Sequence, residues 1–175
     1  MSDNKVIVLG CGRSGTMWLT DVLIANGYAV EHEQLGEEGG VGWRLLLPEC
    51  DSWKNTSADV YHIVRDPFDC VPSMATHDLD VFELIDTITG GSSRDCSDVL
   101  EQATAAWVDL NKVCMLWTDK VVRTEHMLSD CRLHGLDLSE VSIQVTECQL
   151  SGMANADRGH ALWAPVHGAA RVNSR

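Results

Sequence analysis

The heptapeptide Gly10-Cys11-Gly12-Arg13-Ser14-Gly15-Thr16 has the composition of a loop that binds an anion. Its glycines allow the backbone to turn so that several N–H groups point outward, and Arg13 adds a positive charge. At the start of a helix, such a loop also gains from the helix dipole, which favours a phosphate or a sulfate. The first prediction is therefore an anion site on this loop.

The glycine spacing fits two well-known classes of nucleotide-binding protein. Gly10, Gly12 and Gly15 satisfy G-x-G-x-x-G, the dinucleotide fingerprint, for which Glu31 or Glu33 would be the acid that binds the ribose. Gly10 and Gly15 also have the spacing of a P-loop. The P-loop lysine is replaced by threonine here, which disfavours an ordinary ATPase or kinase. A turn that binds no ligand is the structural alternative.

A second group suited to phosphate is Arg65 to Ser73, of sequence R-D-P-F-D-C-V-P-S. The fork of an arginine donates two parallel hydrogen bonds to a phosphate, and a serine hydroxyl adds another. Arg65 follows a predicted strand, and Ser73 lies about two turns into the helix after it. The pattern predicts a clamp for a terminal phosphate, whereas an ion pair between Arg65 and Asp69 is the plainer alternative.

Taken together, these motifs resemble those of sulfotransferases that use 3′-phosphoadenosine 5′-phosphosulfate (PAPS). Arg13 to Thr16, followed by Trp18-Leu19, is similar to the 5′-phosphosulfate loop of that family, and Arg65 to Ser73 matches its R-D-P-x-D-x-x-x-S motif for the 3′-phosphate. The resemblance implies a P-loop-NTPase-like sulfotransferase fold. It also implies PAPS as the cosubstrate, adenosine 3′,5′-bisphosphate (PAP) as the product, and no metal.

The resemblance assigns roles to individual residues. The predicted catalytic set is Arg13 with a base for the acceptor near the end of the second strand, which is Glu33, then His32, then Glu31 in order of preference. His32 and Glu33 are not expected to face one site, because neighbours in an extended segment point to opposite sides. The predicted nucleotide contacts are Cys11, Gly12, Arg13, Ser14, Gly15, Thr16, Met17, Arg65, Ser73, Arg123, Asn173 and Arg175.

The predicted activity is in-line transfer of a sulfuryl group from PAPS to the hydroxyl or amine of an acceptor. The expected acceptor is a small molecule or a glycan, and the net charge of −13 disfavours a highly sulfated glycan. Two alternatives stay open. One is a non-catalytic module that binds PAP or PAPS, since 175 residues are few for the family. The other is an NAD-dependent oxidoreductase that uses the G-x-G-x-x-G loop.

Positioning these motifs requires buried strands that lead into helices, and the chain alternates in that way. Gly36 to Gly42 is predicted to be a flexible acidic loop, and 138–150 fits either a helix or a strand. The alternation predicts one α/β domain over residues 1–175, with a mainly parallel central sheet between two layers of helices. Strands are predicted at Val6–Leu9, Tyr28–Val30, Asp59–Val64 and Val121–Val122, with helices at 16–26, from Pro67, and at 80–88, 96–117 and 125–131.

Bulk composition limits the remaining classes. An apolar content of 45% supports a real core, and the negative net charge argues against nucleic acid as a partner. The seven cysteines form no C-x-x-C pair, so a zinc site and a disulfide framework are not predicted, and a reducing cytoplasm is the expected location. Apolar runs are too short to predict a membrane span.

Overall fold

A central sheet of five parallel strands organises the computed structural model, which describes residues 5–91, 93–136 and 138. The order across the sheet is β2-β3-β1-β4-β5. The predicted α/β class with a mainly parallel sheet is thus confirmed, while a single domain over 1–175 stays a prediction because 139–175 lie outside the described residues. The strands are β1 Lys5–Gly10, β2 Val30–His32, β3 Gly39–Val41, β4 Ala58–Val64 and β5 Val121–Arg123.

The helices lie between these strands much as the sequence predicts. Asp66 caps α2 by accepting a hydrogen bond from the Phe68 N–H at 2.8 Å, and α2 continues through Pro72. The helices are α1 Thr16–Ala25, α2 Pro67–Met74, α3 Leu79–Thr89, α4 Val99–Met115 and α5 Met127–Leu133. Short 3₁₀ segments cover Arg44–Leu46, Pro48–Asn55, Ser93–Asp95 and Thr124–His126. No helix in this described part has the length and apolar character needed to cross a bilayer.

Both faces of the sheet are covered, which gives three layers. Ile7 and Leu9 of β1 are buried in a core cluster with α2, α3 and α4. Val6 and Val8, which alternate with them, point to the opposite face and are also buried. On that face, α1 packs against β2 and β3. The prediction that β1 is a strand buried on both faces of a parallel sheet is therefore confirmed.

The prediction of a loop over Gly36 to Gly42 is wrong, because Gly39–Val41 is the strand β3 between β2 and β1. Its glycines are required by close backbone approach. A Cβ added to Gly39 would lie 1.8 Å from the Val6 carbonyl oxygen, and one added to Gly40 would lie 2.2 Å from the Gln34 carbonyl oxygen. Gly39 and Gly40 are typical of a turn in sequence, but here they are the residues that fit the crowded backbone of β3.

The second strand also begins later than predicted, at Val30 rather than Tyr28. This shift places His32 as the last residue of β2 and Glu33 directly after it. Both candidate bases therefore lie at the carboxyl end of the strand.

A buried polar pair joins β4 to α4. The Asn111 amide donates to the Trp107 carbonyl at 2.7 Å, so its oxygen faces His62 Nε2 at 2.8 Å and accepts the hydrogen bond. His62 Nδ1 is buried without a partner in the described part of the chain. Burial lowers the pKa of His62 below its usual 6.5, because a protonated ring would bury an unsatisfied N–H.

Folding stability is expected to fall as the pH drops below 6.5, the ordinary histidine pKa. The unfolded His62 then takes up a proton that the folded ring excludes, at up to about 1.4 kcal/mol per pH unit. His62→Gln keeps an N–H donor for Asn111 but does not titrate. Urea midpoints at pH 7.5, 6.5 and 5.5 should therefore fall less steeply for His62→Gln than for the wild type. An equal fall of the midpoints with pH in both proteins would show that His62 does not cause the loss of stability.

Candidate functional site

Most of the predicted site residues that the structure describes lie at the carboxyl edge of the sheet. Ligands of open parallel α/β sheets bind at this edge, near the point where the strand order reverses. The chain moves from β1 outward to β2, returns to β3 and crosses to β4, so the reversal lies at β1. The groups at the edge are the loop after β1, Glu33 after β2, Gly42 and Trp43 after β3, Arg65 after β4 and Thr124 after β5.

The loop after β1 has the geometry that an anion requires. Gly15 takes a left-handed conformation at φ 88°, and α1 begins at Thr16 without a side-chain cap or an acidic residue in its first turn. The first N–H groups of a helix have no partner within the helix, so an uncapped start presents them outward. Arg13 is exposed beside them. This end of the site fits a phosphate or sulfate.

The underside of the loop rests on α2. Ser14 is fully buried, with its Oγ 3.7 Å from Cys70 Sγ, and Cys70 Sγ donates to the Gly12 carbonyl at 3.4 Å. Cys11 Sγ lies 3.0 Å from Met74 Sδ, and burial raises the pKa of the Cys11 thiol. The side chains of Cys11 and Ser14 therefore face the core, so only the backbone groups of these residues can contact a ligand of the loop.

Arg65 reaches the loop from the end of β4. Its Nη1 donates to the Arg13 carbonyl at 3.3 Å, and its Nη2 lies 3.4 Å from the Asp69 carboxylate. The Arg65 side chain is only 7% exposed. It supports the loop and also forms the ion pair with Asp69 that was the plainer alternative to a phosphate clamp. Ser73 is half-buried on the following helix α2.

The chain at the end of β5 holds the predicted nucleotide contact Arg123 and, directly after it, Thr124. Arg123 forms a bidentate pair with Asp130, at 2.8 and 2.9 Å, and these hydrogen bonds lower the pKa of Asp130 to about 2. Its neighbour Thr124 instead touches the loop, with its hydroxyl within hydrogen-bonding distance of the Ser14 and Val64 carbonyls. Met17 is exposed on α1, and Asn173 and Arg175 lie outside the described residues.

His32 and Glu33 form a pair beside the start of α1. His32 Nε2 lies 3.0 Å from Thr16 Oγ1 and 3.7 Å from Glu33 Oε1. The expectation that these neighbours face different sites is wrong, because Glu33 leaves the extended conformation and has φ 59°. Glu31 is exposed, one residue before His32 on β2.

The Glu33 carboxylate is partly withdrawn from water. Its Oε2 accepts the Arg44 N–H at 2.9 Å, and its carboxyl carbon would lie 2.6 Å from a Cβ on Gly42. Burial raises the pKa of Glu33 to about 7, although the hydrogen bonds from the Arg44 and Trp43 backbone and the Arg44 charge act in the opposite direction. A carboxylate with this pKa is suited to general base catalysis near neutral pH.

Arg13 and Glu33 share an unusual backbone state. Among the residues that the structure describes, they are the two non-glycine residues with positive φ, at 67° and 59°. A left-handed conformation costs an L-residue roughly 1–2 kcal/mol, and such strain concentrates at functional sites. Both were predicted catalytic residues, which supports their assignment to one site.

Sequence reasoning missed three groups at this edge: Thr124, Trp43 and His77. Trp43 and His77 each approach Gly12 from a connection between elements. Recognition of β3 would have placed Trp43 at the carboxyl edge, whereas nothing local in the sequence marks His77. Within the described residues, no group of three or more His, Cys, Asp or Glu side chains is arranged to hold a metal ion.

Comparison with known proteins assigns no family. No protein-family model, no curated protein and no solved structure matches this chain.

Proposed function

We propose that this chain is a sulfotransferase, which moves a sulfuryl group from PAPS to the hydroxyl or amine of an acceptor. The observation that carries the proposal is the link between an uncapped helix start and a carboxylate of raised pKa. Thr16 opens α1, contacts His32, and is thereby joined to Glu33. An anion cradle and a base thus lie at one edge of the sheet.

The donor end would be held by positive and N–H groups. Arg13 and the first N–H groups of α1 bind the 5′-phosphosulfate, and they neutralise charge on the phosphate that departs. Arg65 and Ser73 bind the 3′-phosphate, while the Arg65 hydrogen bond to the Arg13 carbonyl ties the two ends together. When bound, PAPS supplies the sulfuryl group and the leaving phosphate.

Glu33 acts at the acceptor end. Its carboxylate takes the proton of the acceptor hydroxyl or amine as the new bond to sulfur forms and the bond from sulfur to the phosphate oxygen breaks. The Arg44 N–H and the Trp43 backbone hold the carboxylate in place. His32, whose pKa is lowered by burial, is a neutral neighbour that orients Glu33 toward Thr16.

The strand order disfavours the oxidoreductase alternative. In the dinucleotide-binding fold the order is 3-2-1-4-5-6, so the second strand lies next to the first and its acid reaches the ribose. Here β3 separates β2 from β1, which moves Glu31 and Glu33 one strand further away. Only a measurement of turnover distinguishes a non-catalytic module that binds PAP or PAPS from an enzyme.

Nucleotide binding tests the donor site. PAP is expected to raise the thermal midpoint of the wild type more than 5′-AMP does, with no shift for NAD, because only PAP offers a 3′-phosphate to Arg65. Arg65→Ala should weaken PAP by roughly 100-fold and Ser73→Ala by roughly 10-fold, the usual range for hydrogen bonds to charged groups. Calorimetry of PAP and 5′-AMP measures both effects.

The controls separate phosphate binding from damage to the loop. Arg132 is exposed on α5, so Arg132→Ala should bind both nucleotides as the wild type does. Because Arg65 also supports the Arg13 carbonyl, Ser73→Ala is the cleaner variant. Equal losses for PAP and 5′-AMP in Ser73→Ala would remove the 3′-phosphate assignment, and a shift with NAD alone would replace the proposed function.

A further inference from the structure

Two side chains without a role in the proposed mechanism lie close to Gly12. A Cβ on Gly12 would lie 3.4 Å from His77 Nε2 and 3.7 Å from Trp43 Nε1. Trp43 follows β3, and His77 lies between α2 and α3. Two ring nitrogens from separate connections therefore converge on the residue that precedes Arg13.

Both nitrogens are suited to donate hydrogen bonds to a ligand beside Gly12. Trp43 is 5% exposed, and its indole N–H makes no hydrogen bond among the residues that the structure describes. An indole nitrogen is a donor only and usually finds an acceptor when its ring is buried. Burial and the Arg13 charge lower the pKa of His77, so its ring is neutral near pH 7 and donates from Nε2 in one tautomer.

The charge around Gly12 indicates the kind of ligand that these donors suit. The space that a methyl group at Gly12 would fill is flanked by two neutral donors and adjoins the positively charged Arg13. Neutral donors with one nearby positive charge suit oxygens that share a single negative charge. Donors that are held in place before the ligand binds can stabilise charge in a transition state.

We propose that Trp43 Nε1 and His77 Nε2 bind oxygens of the sulfuryl group during its transfer, which makes the space beside Gly12 the subsite for that group. This inference rests on the proposed function and extends it to the transferred group. PAPS carries the sulfuryl group and PAP lacks it, so the two residues distinguish the cosubstrate from its product. Glycine is needed at position 12 because a side chain there would occupy the subsite.

The test compares the affinities of PAPS and PAP by calorimetry in the wild type, Trp43→Phe and His77→Ala. Trp43→Phe keeps an aromatic ring but removes the N–H. Each variant should bind PAPS roughly 10-fold more weakly, as expected for one hydrogen bond to a charged group, and bind PAP as the wild type does. His77→Gln, which places an amide N–H near the position of Nε2, should recover part of the PAPS affinity.

Trp117→Phe is the matched control, because Trp117 lies two residues after α4 and packs against Trp53 instead of the loop. PAPS and PAP affinities that fall equally, or that do not change, in both Trp43→Phe and His77→Ala would overturn the subsite. If the wild type binds neither PAPS nor PAP, the proposed function fails and the subsite fails with it. Binding of PAP without the selective loss of PAPS refutes the subsite alone.

Discussion

Replacing Glu33 by glutamine is expected to lower sulfuryl turnover by roughly 100-fold or more and to leave PAP affinity unchanged. The glutamine oxygen can still accept the Arg44 N–H that holds the wild-type carboxylate at 2.9 Å, so the geometry is kept. What is lost is the group that takes the acceptor proton. Turnover of PAPS to PAP with a panel of hydroxyl and amine acceptors measures the effect.

The pH dependence supplies a second readout for Glu33. Because burial raises its pKa to about 7, wild-type turnover should rise with pH through that value as the carboxylate ionises. Glu33→Gln should lack this rise. Glu31→Gln, which changes an exposed neighbour on β2, should keep both the rate and the profile. A larger loss in His32→Gln than in Glu33→Gln would transfer the role of base to His32.

Stability should respond to Glu33→Gln in the opposite direction to activity. The pKa of Glu33 is raised by folding, from the usual 4.5 to about 7, so the folded state binds more protons between these values. The contribution of Glu33 to stability is therefore lost as the pH rises through about 7. At pH 8 the variant should be at least as stable as the wild type by urea denaturation. A clear loss of stability would indicate that Glu33 has a structural role.

Gly39→Ala is expected to destabilise the fold by more than about 4 kcal/mol, at the exceptional end for a single substitution. The added Cβ would lie 1.8 Å from the Val6 carbonyl oxygen, and this contact is backbone, which no side-chain rotation relieves. The same substitution separates β3 from β1, since Gly39 pairs with Val6 in the register of the sheet. Denaturant unfolding, or soluble yield if the variant does not fold, measures the loss.

Gly27→Ala separates the steric effect of Gly39→Ala from the backbone effect. Gly27 also has a positive φ, of 89°, but nothing lies within 4 Å of a Cβ built on it. The Gly27→Ala substitution should therefore lower the free energy of unfolding by only roughly 1–2 kcal/mol, the cost of a left-handed L-residue. Similar losses in Gly27→Ala and Gly39→Ala would show that β3 is not the close-packed strand described above.

Several parts of this fold follow from local sequence. β1 is a run of apolar residues, as expected for a strand that is buried on both faces, and Asp66-Pro67 marks the start of α2 through capping. The loop from Gly10 to Thr16 is likewise a contiguous motif. Each of these features is decided by residues within a few positions of one another, so the sequence predicts them.

The conformation of the site depends on contacts between distant segments. Gly39 and Gly40 are typical of a turn, and only the approach of Val6 and Gln34 makes them a strand. Glu33 faces His32 because of a left-handed backbone that residue type does not favour. The sequence predicts Arg123 as a nucleotide contact, and the structure shows that its guanidinium donates a hydrogen bond to Asp130.

The sequence by itself determined the α/β alternation, the glycine-rich loop before α1 and the order of the motifs at Gly10 and Arg65. The tertiary structure alone decided which groups surround that loop. Thr124, Trp43 and His77 meet it from connections far apart in the chain, and the raised pKa of Glu33 arises from burial beside β3. The physical reason is that hydrogen bonding and capping act over a few residues, whereas desolvation and the convergence of side chains require the packed sheet.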